Sequence, residues 1–145
     1  MTDNALALSS TNVRGALAES GLYSTVTGDD MASRLKVYNA VNSAEQISDE
    51  IEKAGGPLTV TVADIVVQEV EVTNQTTGAI ESAPRVILID DKGKAHAATS
   101  KGMLTAVRNI VGILGIPATW GQAVKFKVSE KRGRNGYRFL TMDIA

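Results

Sequence analysis

The sequence predicts a mainly β domain with one or two helices, built as a five-stranded barrel behind an N-terminal extension. Three observations carry this. From residue 58, apolar side chains recur at every second position, the period of a half-buried strand. Two strand–loop–strand patterns follow, each with glycine in its loop. Between them lies one stretch with the apolar spacing of a helix. At 145 residues, 43% hydrophobic and 21% charged, the chain has the size and composition of one globular domain.

Residues 1–32 are rich in Ala, Ser, Thr, Asn and Gly, with scattered leucines, and read as a flexible arm ahead of a single domain at 33–145. Arg34-Leu35-Lys36-Val37-Tyr38-Asn39-Ala40-Val41 has the alternation of a short strand. Asn42-Ser43-Ala44-Glu45 then resembles a capped helix start, with Ile47 and Ile51 four apart and Gly55-Gly56-Pro57 as the stop. Leu58, Val60 and Val62 alternate with Thr59, Thr61 and Ala63, and Val66, Val70 and Val72 keep the same parity. Asp64 interrupts this, and Ile65-Val66-Val67 is apolar on both faces, so the strand should bend or bulge there.

Asn74-Gln75-Thr76-Thr77-Gly78 has turn composition. A hairpin follows, with strands at 85–89 and 94–99 joined by Asp90-Asp91-Lys92-Gly93. Ser100 can cap a helix whose stripe is Leu104, Val107, Val111 and Leu114, widened by Met103 and Ile110 and ended by Gly115 and Pro117. The last hairpin spans 123–130 and 137–144 around Lys131-Arg132-Gly133-Arg134-Asn135-Gly136. Long strand, strand, strand, helix, strand, strand is the order of the OB-fold, a partly open Greek-key barrel. A flat α+β sheet packed on the same helix is the alternative.

The absence of cysteine excludes disulfides, thiolate metal sites and cysteine nucleophiles. No apolar run approaches 18 residues and no basic-then-apolar leader opens the chain, so a cytoplasmic protein without a membrane partner is expected. The formal charge of −1 hides an asymmetry. Residues 1–91 hold fourteen acidic and five basic side chains, while 92–138 hold ten basic and one acidic. Such a split marks either a polyanion-binding face or two halves that neutralise each other.

On the last hairpin, Val124, Phe126 and Val128 share one parity, which turns Lys125 and Lys127 the other way. Leu140, Met142 and Ile144 likewise leave Tyr137, Phe139 and Thr141 opposite them. Two lysines and two aromatics then sit on non-core faces beside Lys131, Arg132 and Arg134, with Arg138 on the core parity near the hairpin tip. Cations for phosphates and open rings for bases are what single-stranded nucleic acid requires. A register slip would instead bury Phe139. No basic recognition helix for a duplex groove is visible.

Other candidates admit two readings each. Trp120 can stack on a base or plug the barrel end, and Tyr38, near Arg34 and Lys36, can stack or pack against the barrel. The single His96 is structural or phosphate-facing. Asp90-Asp91 suits a turn better than a metal, and neither Gly93-Lys94 nor Ser100-Lys101-Gly102 has phosphate-loop spacing. No carboxylate pair or triad stands out. A binding protein is expected rather than an enzyme, with no cofactor and no metal.

Four segments resemble a known family. They are Leu35-Lys36-Val37-Tyr38-Asn39-Ala40-Val41, Ala83-Pro84-Arg85-Val86-Ile87-Leu88-Ile89-Asp90, Gly93-Lys94-Ala95-His96-Ala97-Ala98-Thr99-Ser100-Lys101-Gly102 and Arg132-Gly133-Arg134-Asn135-Gly136-Tyr137-Arg138-Phe139-Leu140. Over residues 33–144 the chain is similar to the single-stranded DNA-binding proteins of protein-primed Bacillus phages. The resemblance implies an OB-like protein that coats and protects displaced strands during replication with little sequence preference. It implies DNA contacts at Lys94, His96, Lys101, Arg134, Tyr137 and Phe139, and partners among phage replication proteins such as the DNA polymerase. Cellular single-strand binders carry a long acidic tail, whereas this sequence ends Asp143-Ile144-Ala145, so recruitment through a tail is not expected. With six aromatics in all, stacking sites should be few and coating should lean on cooperativity or a homo-oligomer. The alternatives are an RNA-binding OB module and a structural protein joining acidic to basic faces.

Overall fold

The computed structural model describes residues 22–134, 136 and 138–145. In chain order its elements are β1 (Leu22–Ser24), α1 (Met31–Ser43), β2 (Glu45–Gln46), α2 (Ile47–Ala54), β3 (Leu58–Thr73), β4 (Ile80–Asp90), β5 (Ala95–Thr99) and α3 (Lys101–Leu114). A 3₁₀ turn at Pro117–Thr119, β6 (Val124–Arg132) and β7 (Arg138–Ile144) complete it. The strands form one curled sheet in the order β2-β5-β4-β3-β6-β7, with β1 beside β3. The five expected strands are thus neighbours in an OB-like half-barrel, and the flat-sheet alternative falls away. Every pair is antiparallel except β2 with β5. The outer edge of β5 is taken by β2, and the curl stays open between β5 and β7.

The long strand bulges between Val62 and Asp64, where the alternation breaks in the sequence. Its first part pairs with β6 from Leu58 to Val62, and beyond the bulge it takes β1 opposite Val66, Val67 and Gln68. Inside the curl, Val60, Val62, Ile65 and Val67 meet Val86, Leu88, Phe126, Val128 and Leu140. Ile47 of α2 and Met103, Val107 and Ile110 of α3 close this inner core. The stripe of α3 is therefore centred on Met103, and Leu114 lies at its exposed margin. Ser100 caps α3 by accepting from the Met103 N–H at 3.1 Å. A Cβ on Gly102 would come within 2.7 Å of the Leu140 carbonyl, so glycine is what lets α3 seat against β7.

A second cluster lies on the outer face, where Val66, Ile87, Ile89, Ala95 and Ala97 are covered by Val37, Ala40 and Val41. That explains the doubly apolar runs at 65–67 and 86–89, since both faces of these strands are buried. It also corrects two expectations. The segment at 34–41 is helical, because the apolar positions that meet the sheet are Val37, Ala40, Val41 and Ala44, spaced for a helix. Asp30 caps it, its Oδ1 accepting from the Ser33 N–H at 3.1 Å. Asn42 and Ser43 therefore end α1, Glu45 and Gln46 pair with His96 and Ala97, and α2 begins only at Ile47. Of the expected arm, residues 22–32 hold β1 and the start of α1, with Tyr23 buried in the inner core, and residues 1–21 lie outside the described residues.

A clasp fixes α1 in place. Asp64, buried at the bulge, accepts from Lys36 Nζ at 2.7 Å and from Thr25 Oγ1 at 3.0 Å. Arg85 Nη1 donates to the Val41 carbonyl at the far end of α1, at 2.8 Å. Lys101–Thr119 is long and apolar enough by length and composition to cross a membrane. Its Met103, Val107 and Ile110 are buried in the protein core.

Candidate nucleic-acid interface

The last hairpin is positioned by its apolar parity. Phe126 and Val128 of β6 and Leu140 of β7 are buried, at 2%, 0% and 8% exposure, which forces their neighbours outward. Phe139 is then 44% exposed, and the register slip that would bury it does not occur. Lys131 pairs with Phe139, Ser129 with Thr141 and Lys127 with Asp143 across the hairpin. On the other side of β6, Lys127 pairs with Thr59 and Lys125 with Thr61. Directly paired residues share a face, so these side chains form one patch on the outer face. The lysines at 125, 127 and 131 are exposed, whereas α1 covers the outer face of β4 and β5.

Arg132 and Arg138 do not join that patch. Arg132 pairs with Arg138, and both have the opposite parity, beyond the inner core at the hairpin tip. Arg138 Nη1 stands 3.6 Å from Glu130 Oε1. Arg134 is exposed in the turn, where the Gly136 N–H donates to the Gly133 carbonyl at 3.0 Å. Tyr137 lies outside the described residues. Thr141 Oγ1 is buried within the patch with no hydrogen-bond partner among the described residues.

The other candidates sit elsewhere. His96 is 4% exposed on the inner side, its Nδ1 2.8 Å from Glu50 Oε2 and its Nε2 3.0 Å from Asp90 Oδ2. Both ring nitrogens are engaged within the protein, so His96 joins α2 to β4 and β5. Lys94 caps the same cluster, with Nζ 3.2 Å from Glu50 and 3.4 Å from Glu45. The hydrogen bond and charge of Glu50, followed by those of Glu45, raise its pKa. Burial alone would raise Asp90, but the hydrogen bonds from His96 and the N–H groups of Lys94 and Lys92 outweigh it and hold its carboxyl below the usual range.

Lys101 is exposed in the first turn of α3, in a groove of about 460 Å³ with Pro84, Thr99 and Ser100. Trp120 donates from Nε1 to the Gly115 carbonyl at 2.9 Å, and its ring centroid lies 6.1 Å from that of Phe126. The ring is partly buried and packs against the inner core. Lys36 is spent on the clasp with Asp64, while Arg34 and the 64%-exposed Tyr38 lie one helical turn apart on α1 rather than on a strand. Thr59 and Thr61 were missed as members of the patch. Their polar parity was visible, but the pairing of β3 with β6 was not.

Two comparisons are silent: no curated protein and no solved structure matches the chain. A third is not, since the family model for the Phi29-type phage single-stranded DNA-binding protein matches residues 18–145.

Proposed function

Because the chain belongs to the phage single-stranded DNA-binding protein family, we propose that it coats displaced single strands during phage DNA replication, using the outer face of β6 and β7. The observation that carries the location is the alternation of exposed Lys125, Lys127 and Lys131 beside exposed Phe139, on the part of the outer face that no helix among the described residues covers. Lysine ammonium groups neutralise phosphates and release counterions, and the phenyl ring stacks on a base without regard to its identity. Thr59, Thr61 and Ser129 supply short hydroxyl donors between the lysines. This chemistry is binding without a chemical step, sited in the host cytoplasm alongside the phage polymerase.

Titration of labelled oligo-dT by fluorescence anisotropy tests it. Binding should be independent of base composition, and its logarithm should fall linearly with the logarithm of salt concentration. Each neutralised phosphate contributes about 0.7 to that slope, so the three lysines together account for about 2. Absence of binding at low salt would overturn the proposal. An RNA oligomer of the same sequence competing equally would extend it to both nucleic acids.

A further inference from the structure

β3 and β4 stay paired to Thr73 opposite Ile80, but their outer neighbours stop short. β1 flanks β3 only to Gln68, and β5 flanks β4 only from Arg85. Among the described residues, 69–83 therefore form a two-stranded ribbon with no further strand on either edge, and at its base the Pro84 carbonyl accepts from the Ser100 N–H at 3.1 Å. Such edges are the usual template for adding another chain. The ribbon is held in register by its turn, where Asn74 Oδ1 accepts from the N–H groups of Thr76 and Thr77 at 2.8 and 3.0 Å. Near its tip Val72 and Ile80 are exposed, at 37% and 69%. Its charged residues are Glu69, Glu71 and Glu81, with no lysine or arginine among residues 69–84.

The basic hairpin lies at the other end of the same strand. β6 meets β3 at Val128 opposite Leu58 and runs on past it to Arg132. Leu58 and Glu69 are about 36 Å apart along β3, so the ribbon and the hairpin tip of one molecule do not neutralise each other. Opposite charges at opposite ends make a heterologous pair of surfaces, which joins copies head to tail. Arg132 and Arg138 face away from the lysine–phenylalanine patch, both exposed, and among the described residues Arg138 is held only by its exposed 3.6 Å pair with Glu130.

We infer that the β3–β4 ribbon of one copy docks on the Arg132 and Arg138 side of the last hairpin of a second copy. DNA and the neighbouring molecule then use opposite faces of one hairpin, so successive copies along a strand touch without competing for it. The opposite charges supply the contact and set its direction. The inference extends the proposed function but stands on its own surfaces.

Sedimentation velocity of the full chain without nucleic acid tests it, over a concentration series at low and high salt. The wild type should shift from monomer toward larger species as concentration rises at low salt, and return to monomer at high salt. The double variant Glu71→Lys, Glu81→Lys should stay monomeric, as should Arg132→Glu, Arg138→Glu. Mixing the two restores a ribbon and a hairpin of opposite charge, so the mixture should associate again. A wild type that is monomeric at every concentration, a variant that associates as the wild type does, or a mixture that stays monomeric overturns the inference. Affinity for an oligonucleotide that holds one copy is read separately, and its loss in the wild type would count against the proposed function instead.

Discussion

Two stretches of the same outer face carry opposite chemistry. β4 and β5 turn Ile87, Ile89, Ala95 and Ala97 outward, and α1 lies over them. β6 turns Lys125, Lys127 and Lys131 outward, with Phe139 beside them, and leaves them open. The inner faces of both stretches join one core, so the difference is confined to what the outer parity presents. The OB-fold ordinarily offers its second and third strands to nucleic acid. Here those strands are β4 and β5, and the helix on them moves the accessible cationic face to β6 and β7.

Breaking the covered side should damage the fold. Ile87 is fully buried beneath α1, and Ile87→Ala should cost about 2–5 kcal/mol of stability in chemical denaturation. A loss of oligo-dT affinity that exceeds the fraction unfolded would mean that this side touches DNA. Breaking the open side should do the reverse. Phe139→Ala should weaken oligo-dT binding by about 1–3 kcal/mol while the melting temperature holds. Unchanged affinity would remove the stacking role. Lys127→Ala should lower the salt slope by about 0.7, and an unaltered slope would place that side chain off the phosphate path.

Two smaller effects sharpen the contrast. Asp90 has its folded pKa depressed, so the stability it lends is present above the ordinary aspartate pKa and lost as pH falls through the folded value. Thermal melts should therefore drop below about pH 4, and Asp90→Asn should flatten that drop. A melt equally steep in the variant would assign the acid sensitivity elsewhere. On the open patch, Thr141 Oγ1 is buried with no partner among the described residues, so Thr141→Val should leave stability unchanged or raise it. A measurable loss would reveal an acceptor or donor for that hydroxyl.

How much of this was legible in the sequence divides along physical lines. Strand order, the bulge at Asp64 and the outward turn of Lys125, Lys127 and Phe139 follow from alternation within single strands, which a sequence displays directly. The helix at Met31–Ser43 was hidden because Leu35, Val37 and Val41 fit a strand period as well as Val37, Ala40, Val41 and Ala44 fit a helical one. Only the sheet beneath decides between them. His96 shows the second limit. Its carboxylate partners, Glu50 and Asp90, come from α2 and β4, and no local pattern announces that they converge. The split of Arg132 and Arg138 from the lysines was half-visible, since Arg138 has the core parity and only the register with Arg132 shows that both share it.

The central claim is that DNA lies on β6 and β7 and not on α1. Amide chemical-shift mapping of the labelled protein titrated with oligo-dT tests it most directly. The largest shifts should fall at Lys125, Lys127, Lys131, Phe139 and the facing Thr59 and Thr61. Shifts concentrated instead at Arg34 and Tyr38, with the last hairpin undisturbed, would contradict it.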